Sequence, residues 1–285
     1  MDVGIFAKIF PRATLEATLD AVQQHGIHFV QFNMACAGLT TLPDQIPSVL
    51  THRIRDAFDE RNLTMSAISG TYNMIHPNPA HREEGLRRLR VLINACDGLG
   101  VRVITVCTGT RDAQNMWRKH ADNDTVEAWS DLIFYIRQAV VLAQDAGVQI
   151  GVEPELSNVI DSAPKARRLL DEIGSPVLRV VMDASNLLHV AERENMQMIL
   201  NDAFDLLGHD VALVHAKDLM AGGPDVHGAA GTGVLDYDLY LDLLRASGYN
   251  GPLILHTLRE DQVEQSVRFL RSKIVAIQNR PVRAS

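Results

Sequence analysis

Four residues of metal-ligating type, Glu153, Asp183, His215 and His256, each close a short run of aliphatic and β-branched residues. Two carboxylates and two imidazoles gathered round one point form a borderline-hard donor set, better suited to Mn²⁺, Co²⁺, Fe²⁺ or Zn²⁺ than to Ca²⁺. The same residue types also serve as helix caps and loop anchors, so the elements that carry them decide. Other run ends offer Lys8, Asn33, Ser69 and Cys107 with Thr108. Glu155 stands two residues beyond Glu153, and Lys217 two beyond His215, a spacing that keeps both side chains on one side of a continuing strand. Glu155 there either faces a substrate or forms a loop ion pair. Lys217 either stabilises an enolate oxygen or a substrate phosphate, or pairs with a neighbouring carboxylate. Asp218 reads as a support for an imidazole or a helix terminus, and Cys107 as a small thiol filling the interior.

The runs that position these residues are 3–9, 27–32, 63–68, 101–107, 148–153, 177–183, 210–215 and 252–256. Gly26, Asn62, Gly100, Gly147 and Ser175-Pro176 precede five of them, as expected where a helix must release its last carbonyls. Between the runs lie amphipathic segments such as 82–99, with Leu86, Leu89, Ile93 and Cys96 on one face. Strands alternating with helices imply parallel βαβ units. Eight of them predict an α/β chain folded as one (β/α)₈ TIM barrel over residues 1–285, with its chemistry at the C-terminal ends of the strands. A doubly wound open sheet is the rival, but it wants a glycine-rich turn after an early strand, and the first run ends in Lys8-Ile9-Phe10-Pro11. The pair Gly231 and Gly233 lacks a third glycine and reads as a turn. A long polar stretch, 111–125, with Trp117 inside it and Trp129 just after it, reads as a lid or subunit contact.

Composition narrows the partners. Lys and Arg number 27 against 35 Asp and Glu, a formal net charge of −8, which disfavours a nucleic-acid partner held through its phosphates. Cys36, Cys96 and Cys107 are widely spaced and form no C-x-x-C pair, so neither a disulfide framework nor a thiolate zinc site is expected. No apolar run reaches the length of a membrane span, and Met1-Asp2-Val3-Gly4 has no basic leader. A cytoplasmic location without a membrane partner is the expectation, with room for a homo-oligomer.

The segments Gly151-Val152-Glu153-Pro154-Glu155, Val181-Met182-Asp183-Ala184-Ser185-Asn186, Val214-His215-Ala216-Lys217-Asp218, 231–237 and Gly251 to His256 resemble the xylose-isomerase-like TIM-barrel superfamily, in its sugar phosphate isomerase/epimerase branch. The similarity extends through 69–77, after the third run. The resemblance implies that Glu153, Asp183 and His215 bind one divalent metal, with His256 in the fourth position, where the family usually has glutamate. Manganese is the first expectation, with zinc, cobalt, iron and magnesium as alternatives. It also implies a small-molecule carbohydrate substrate and makes Glu153 the general base, with Lys217, by its spacing from His215, the second catalytic candidate. His76, in the stiff segment His76-Pro77-Asn78-Pro79, is then expected to touch substrate or metal-bound water. Asn186, where the epimerases often carry histidine, would bond a sugar hydroxyl; His189 and His227 are further candidates. A metal-bound imidazole has no lone pair left for proton abstraction. His256 therefore puts two-base epimerisation in doubt and favours one-base proton transfer or β-elimination, as in dehydratases of keto-sugars or keto-cyclitols. Phosphodiester hydrolysis, as in the abasic-site endonucleases of this fold, wants more ligands. A non-catalytic sugar-binding barrel is the remaining reading.

Overall fold

Residues in the strands of this chain alternate between two apolar environments, and that alternation closes a barrel. The computed structural model describes residues 1–221 and 226–279. Among them, β1 (Asp2–Phe6), β2 (Phe29–Phe32), β3 (Thr64–Ser69), β4 (Val103–Cys107), β5 (Gln149–Glu153), β6 (Leu178–Met182), β7 (Val211–Ala216) and β10 (Pro252–Leu255) form a closed parallel barrel, β1 pairing with both β2 and β10. A two-stranded ribbon, β8 (Asp218–Leu219) and β9 (His227–Gly228), projects after β7. The helices α1 (Leu15–Gln24), α2 (Ser48–Asp59), α3 (Pro79–Leu99), α4 (Val126–Ala146), α5 (Ala163–Ile173), α6 (Met196–Leu207), α7 (Tyr237–Ala246) and α8 (Val263–Gln278) intervene between strands or follow the last. Left-handed glycines end several of them: Gly100, Gly147 and Gly174 cap α3, α4 and α5. No helix among the described residues is long and apolar enough to cross a membrane.

One face of each strand packs on the helices; Phe32, for example, meets Phe58 of α2 edge-on at 5.5 Å. The other face fills the barrel. Ala67, Val181, Leu213 and Ile254 form a separate buried cluster, with Phe6 and Val103 against it. Gly4 and Gly151 belong to the same interior: an added Cβ would lie 2.5 Å from Ile254 Cδ1 and 2.9 Å from Val181 Cγ2, respectively. This cluster is the floor of the site. Because side chains alternate with a period of two, the residues two positions after Gly151, Val181, Leu213 and Ile254 must also point inward, one layer higher. They are Glu153, Asp183, His215 and His256.

The observed strands are shorter than the sequence runs. The first run was expected to continue to Ile9, but β1 ends at Phe6 and Ala7–Ile9 form a 3₁₀ turn. Lys8 therefore sits on that turn beyond the strand, at the rim. Asp183 and His256 each lie one residue past a strand, and Asp183 caps the following 3₁₀ turn by accepting from Ser185 N at 3.1 Å.

Candidate metal and active site

Glu153, Asp183, His215 and His256 converge: one ligand atom from each lies within 4.8 Å of all the others. The first three are buried and His256 is partly so. The pairwise contacts are short. His215 Nδ1 is 3.1 Å from Glu153 Oε1 and 3.8 Å from Asp183 Oδ2, and His256 Nε2 is 3.0 Å from Asp183 Oδ2. Just after His256 the chain turns through Thr257 at φ +56°, whose hydroxyl lies 3.1 Å from His256 Nδ1.

Lys217 is buried with them and donates to Asn186 Oδ1 at 2.6 Å and, as an ion pair, lies 3.3 Å from Asp183 Oδ2. Asn186 in turn donates to Glu153 Oε1 at 2.9 Å. Burial alone would raise the Asp183 carboxyl, but the Lys217 ammonium and the His256 contact outweigh it and hold the group well below the usual carboxylate range. Lys217 is destabilised by burial, yet its carboxylate neighbours, Asp183 foremost, raise it above the ordinary lysine value. His256 is lowered to about 4, first by burial and then by the adjacent His215, so its ring is neutral at physiological pH.

These residues fit a divalent cation. Two buried carboxylates face one ammonium, which leaves a net negative charge to be balanced. Donors bound at about 2.0–2.2 Å round one ion lie no more than about 4.4 Å apart, close to the spread seen here. His215 Nε2 faces Gln31 Oε1 at 2.7 Å, so the ring nitrogen turned to the carboxylates is Nδ1.

Above the donors opens a cavity of about 480 Å³, lined among others by Lys8, Asn33, Ser69, Thr105, Cys107, Trp117, Glu155 and Thr257, together with Glu153, His215, Lys217 and His256. Glu155 is half-buried on its wall, bonded by Ser157 Oγ at 3.2 Å, and burial raises its carboxyl. Cys107 lies 3.9 Å from Glu153 Oε2, and burial with that carboxylate holds the thiol well up. Trp117 stands on the 108–125 loop, which Asn73, Asn123 and Asn158 tie to neighbouring loops. Trp129 is elsewhere, bonded to Glu172 at 2.8 Å under the Arg168 guanidinium on the outer helices. Of the two tryptophans, only Trp117 reaches the cavity mouth.

Three sequence expectations change. Asn186 is fully buried and spends its side chain on Glu153 and Lys217, so it supports the site from behind and offers nothing to a sugar hydroxyl. His76 lies in an adjacent pocket with His81 and Arg88. Its ring nitrogens are engaged by Asn78 N at 3.0 Å and Ala113 O at 3.1 Å, a contact that pins the loop and leaves no nitrogen for substrate. Asp218 supports neither an imidazole nor a helix end: its carboxylate accepts from the backbone of Leu219, Gly231 and Leu235. It fastens the glycine turn, where a Cβ on Gly233 would lie 2.3 Å from Leu219 O. His189 is exposed on the turn after β6, and His227 Nε2 lies 3.3 Å from Ser185 O. Gln31 is the residue that sequence reasoning missed; its signal is an amide inside the apolar run Phe29-Val30-Gln31-Phe32.

Fold and donor set together define a class, a closed eight-stranded α/β barrel with carboxylate and imidazole donors ringed at the C-terminal ends of its strands. The chain belongs to the xylose isomerase-like TIM barrel family, whose profile matches residues 19–273. It is 25% identical over 201 residues to L-ribulose-5-phosphate 3-epimerase UlaE of Shigella flexneri serotype 5b (strain 8401), covering 70% of this chain and 66% of that one. Its counterpart in Escherichia coli O157:H7 (strain EC4115 / EHEC) is 26% identical over 194 residues, covering 68% and 63%. The match thus spans slightly less than two thirds of these relatives' length. Among solved structures, a D-tagatose 3-epimerase-like protein superposes with TM-score 0.77 at 16% identity, covering 98% of both chains. The 3-keto-D-glucoside 4-epimerase YcjR of E. coli gives 0.73 at 18%, covering 95% and 99%. The IOLI protein, solved with a zinc atom, gives 0.72 at 14%, covering 97% and 98%. These relatives are sugar epimerases and barrels of one fold.

Proposed function

We propose that the chain is a divalent-metal-dependent isomerase or epimerase of a sugar or sugar phosphate, working by proton transfer beside a carbonyl. The observation that carries this reading is the convergence of Glu153, Asp183, His215 and His256 on one point under a polar cavity. Manganese suits this donor set. When bound, the ion would polarise the substrate carbonyl and acidify the neighbouring C–H. Glu153, accepting from Asn186 at 2.9 Å, takes that proton as general base. Lys217, fixed by Asn186 and Asp183, presents an ammonium to the oxygen on which charge develops. Glu155, on the wall with its carboxyl raised by burial, is placed to hydrogen-bond the substrate. Asn186 and Asp183 orient Glu153 and Lys217 and do not touch the sugar. The names of the relatives, ribulose-phosphate, tagatose and keto-glucoside epimerases, support the substrate class.

One observation favours a second outcome for the same proton abstraction. The donor at the end of β10 is an imidazole held 3.0 Å from Asp183, which cannot return a proton as a carboxylate there would, so loss of a β-hydroxyl from a keto-sugar is the alternative. Incubating manganese-loaded protein with ketoses, ketose phosphates and keto-cyclitols in D₂O separates the two by NMR. Deuterium in an intact sugar supports the isomerase or epimerase, and a dehydrated product supports the lyase. Absence of exchange across the panel would overturn both.

A further inference from the structure

We propose that Gln31 is the positioning residue for His215, holding the ring in the tautomer that leaves Nδ1 bare toward the carboxylates. The proposal rests on the metal-site reading above and assigns a role to a cavity-lining residue that is no cation ligand in that reading. Gln31 points inward from β2 and is only 4% exposed. Its amide nitrogen donates to Ser69 Oγ on β3 and Thr105 Oγ1 on β4, each at 3.2 Å. Two amide hydrogens thus meet two hydroxyl oxygens, and the carbonyl oxygen is left facing His215 Nε2 at 2.7 Å. A carbonyl can only accept, so Nε2 carries the proton.

The consequence lies at the other nitrogen. With the proton on Nε2, a neutral ring turns its Nδ1 lone pair toward Glu153 Oε1, 3.1 Å away, and Asp183 Oδ2, 3.8 Å away. Electron-rich atoms so arranged invite a cation between them. Were the amide reversed, its NH₂ would occupy the Nε2 lone pair, and the ring proton would sit on Nδ1 and bond Glu153, closing the site. The barrel thus sets the ligand's tautomer through an amide reaching from β2 to β7. A hydrocarbon at position 31 would strand a buried Nε2–H, and the ring would answer by moving its proton to Nδ1, where Glu153 accepts it. Partners that orient a metal-binding histidine typically govern 10–100-fold in affinity.

The test uses metal-depleted full-length protein, titrated with Zn²⁺ by calorimetry, with ¹⁵N NMR reporting the histidine tautomer. Gln31→Leu is expected to lose roughly 10–100-fold in Zn²⁺ affinity and to move the His215 proton to Nδ1. Gln31→Glu, whose carboxylate can still accept from Nε2–H, is expected to bind within a few-fold of the parent and to keep the His215 proton on Nε2, a tautomer readout that a purely space-filling role would not link to the acceptor at position 31. Should Gln31→Leu fail to fold, Ser69→Ala with Thr105→Val releases the amide while keeping Gln31, and a loss of affinity is again expected. Parent-like affinity in Gln31→Leu or in the double variant, or a proton on His215 Nδ1 in the parent, would overturn the role of Gln31. A parent that takes up no Zn²⁺ would instead end the metal reading on which it rests.

Discussion

Asn186 donates its amide hydrogen to Glu153 Oε1 at 2.9 Å while its carbonyl accepts from Lys217 Nζ at 2.6 Å. One buried amide therefore couples the proposed base to the proposed electrophile. Asn186→Leu is expected to lower deuterium exchange roughly 10–100-fold, the scale for residues that orient a site, with KM little changed because Asn186 does not reach the cavity. A raised KM at unchanged kcat would mean a direct sugar contact instead.

Metal removal gives the second expectation. With two carboxylates and two imidazoles crowded within 4.8 Å, an ion at 100 times its Kd would add about 2.7 kcal/mol to folded-state stability. At a few degrees per kcal/mol for a chain of this size, that raises Tm by roughly 5 °C. Asp183→Ala and His215→Ala should lose both the bound ion and the shift, whereas Glu153→Gln should keep some metal and lose roughly 10²-fold in rate. Melting curves with manganese and with chelator check it; a full equivalent of metal in the Asp183 and His215 variants would remove the site as drawn.

Much of this arrangement was legible in the sequence, because period-two alternation in Gly151/Glu153, Val181/Asp183, Leu213/His215 and Ile254/His256 writes the floor and the donor layer side by side. The parts that escaped depend on contacts distant in the chain. Gln31 gains its meaning from Ser69, Thr105 and His215 on three other strands. Asn186 resembles a loop residue until burial shows which way it faces. Lys8 lies inside an apolar run whose last residues curl into a 3₁₀ turn, a choice made by the barrel rim and not by β propensity. His76 lies in the stiff loop expected of it, but only the fold shows Ala113 taking one of its nitrogens.

Gly85, in the middle of α3, sets helix propensity against packing. Alanine there should gain about 1 kcal/mol from propensity, but its Cβ would lie 2.0 Å from Tyr72 Cδ2 and 2.3 Å from Cε2. Tyr72 is 9% exposed and belongs to the core, so its ring cannot swing into water cheaply. Overpacking costs of about 1–3 kcal/mol should win, and Gly85→Ala should lower the denaturation midpoint. In a Tyr72→Leu background the same substitution should cost less, as measured by a double-mutant cycle. Equal effects in both backgrounds would show that the ring does not oppose the new methyl.

His256 stands where the sequence resemblance implied glutamate, and there the reaction outcome can be read. The neutral ring faces Asp183 Oδ2 through Nε2 at 3.0 Å, with Nδ1 3.1 Å from Thr257 Oγ1, so neither nitrogen is turned out to act as a base. Glu153 is then the one carboxylate of the donor set available to move a proton, and the parent should exchange deuterium at a single face of the reacting carbon. His256→Ala should loosen the metal. His256→Glu should retain it, because a carboxylate oxygen can replace the imidazole nitrogen, with preference shifted toward harder ions such as Mg²⁺. The new carboxylate should also open exchange at the second face. Stereospecific labelling read by NMR decides the matter: scrambled configuration in the parent would require a second base already in place, with Glu155 on the cavity wall the first residue to substitute.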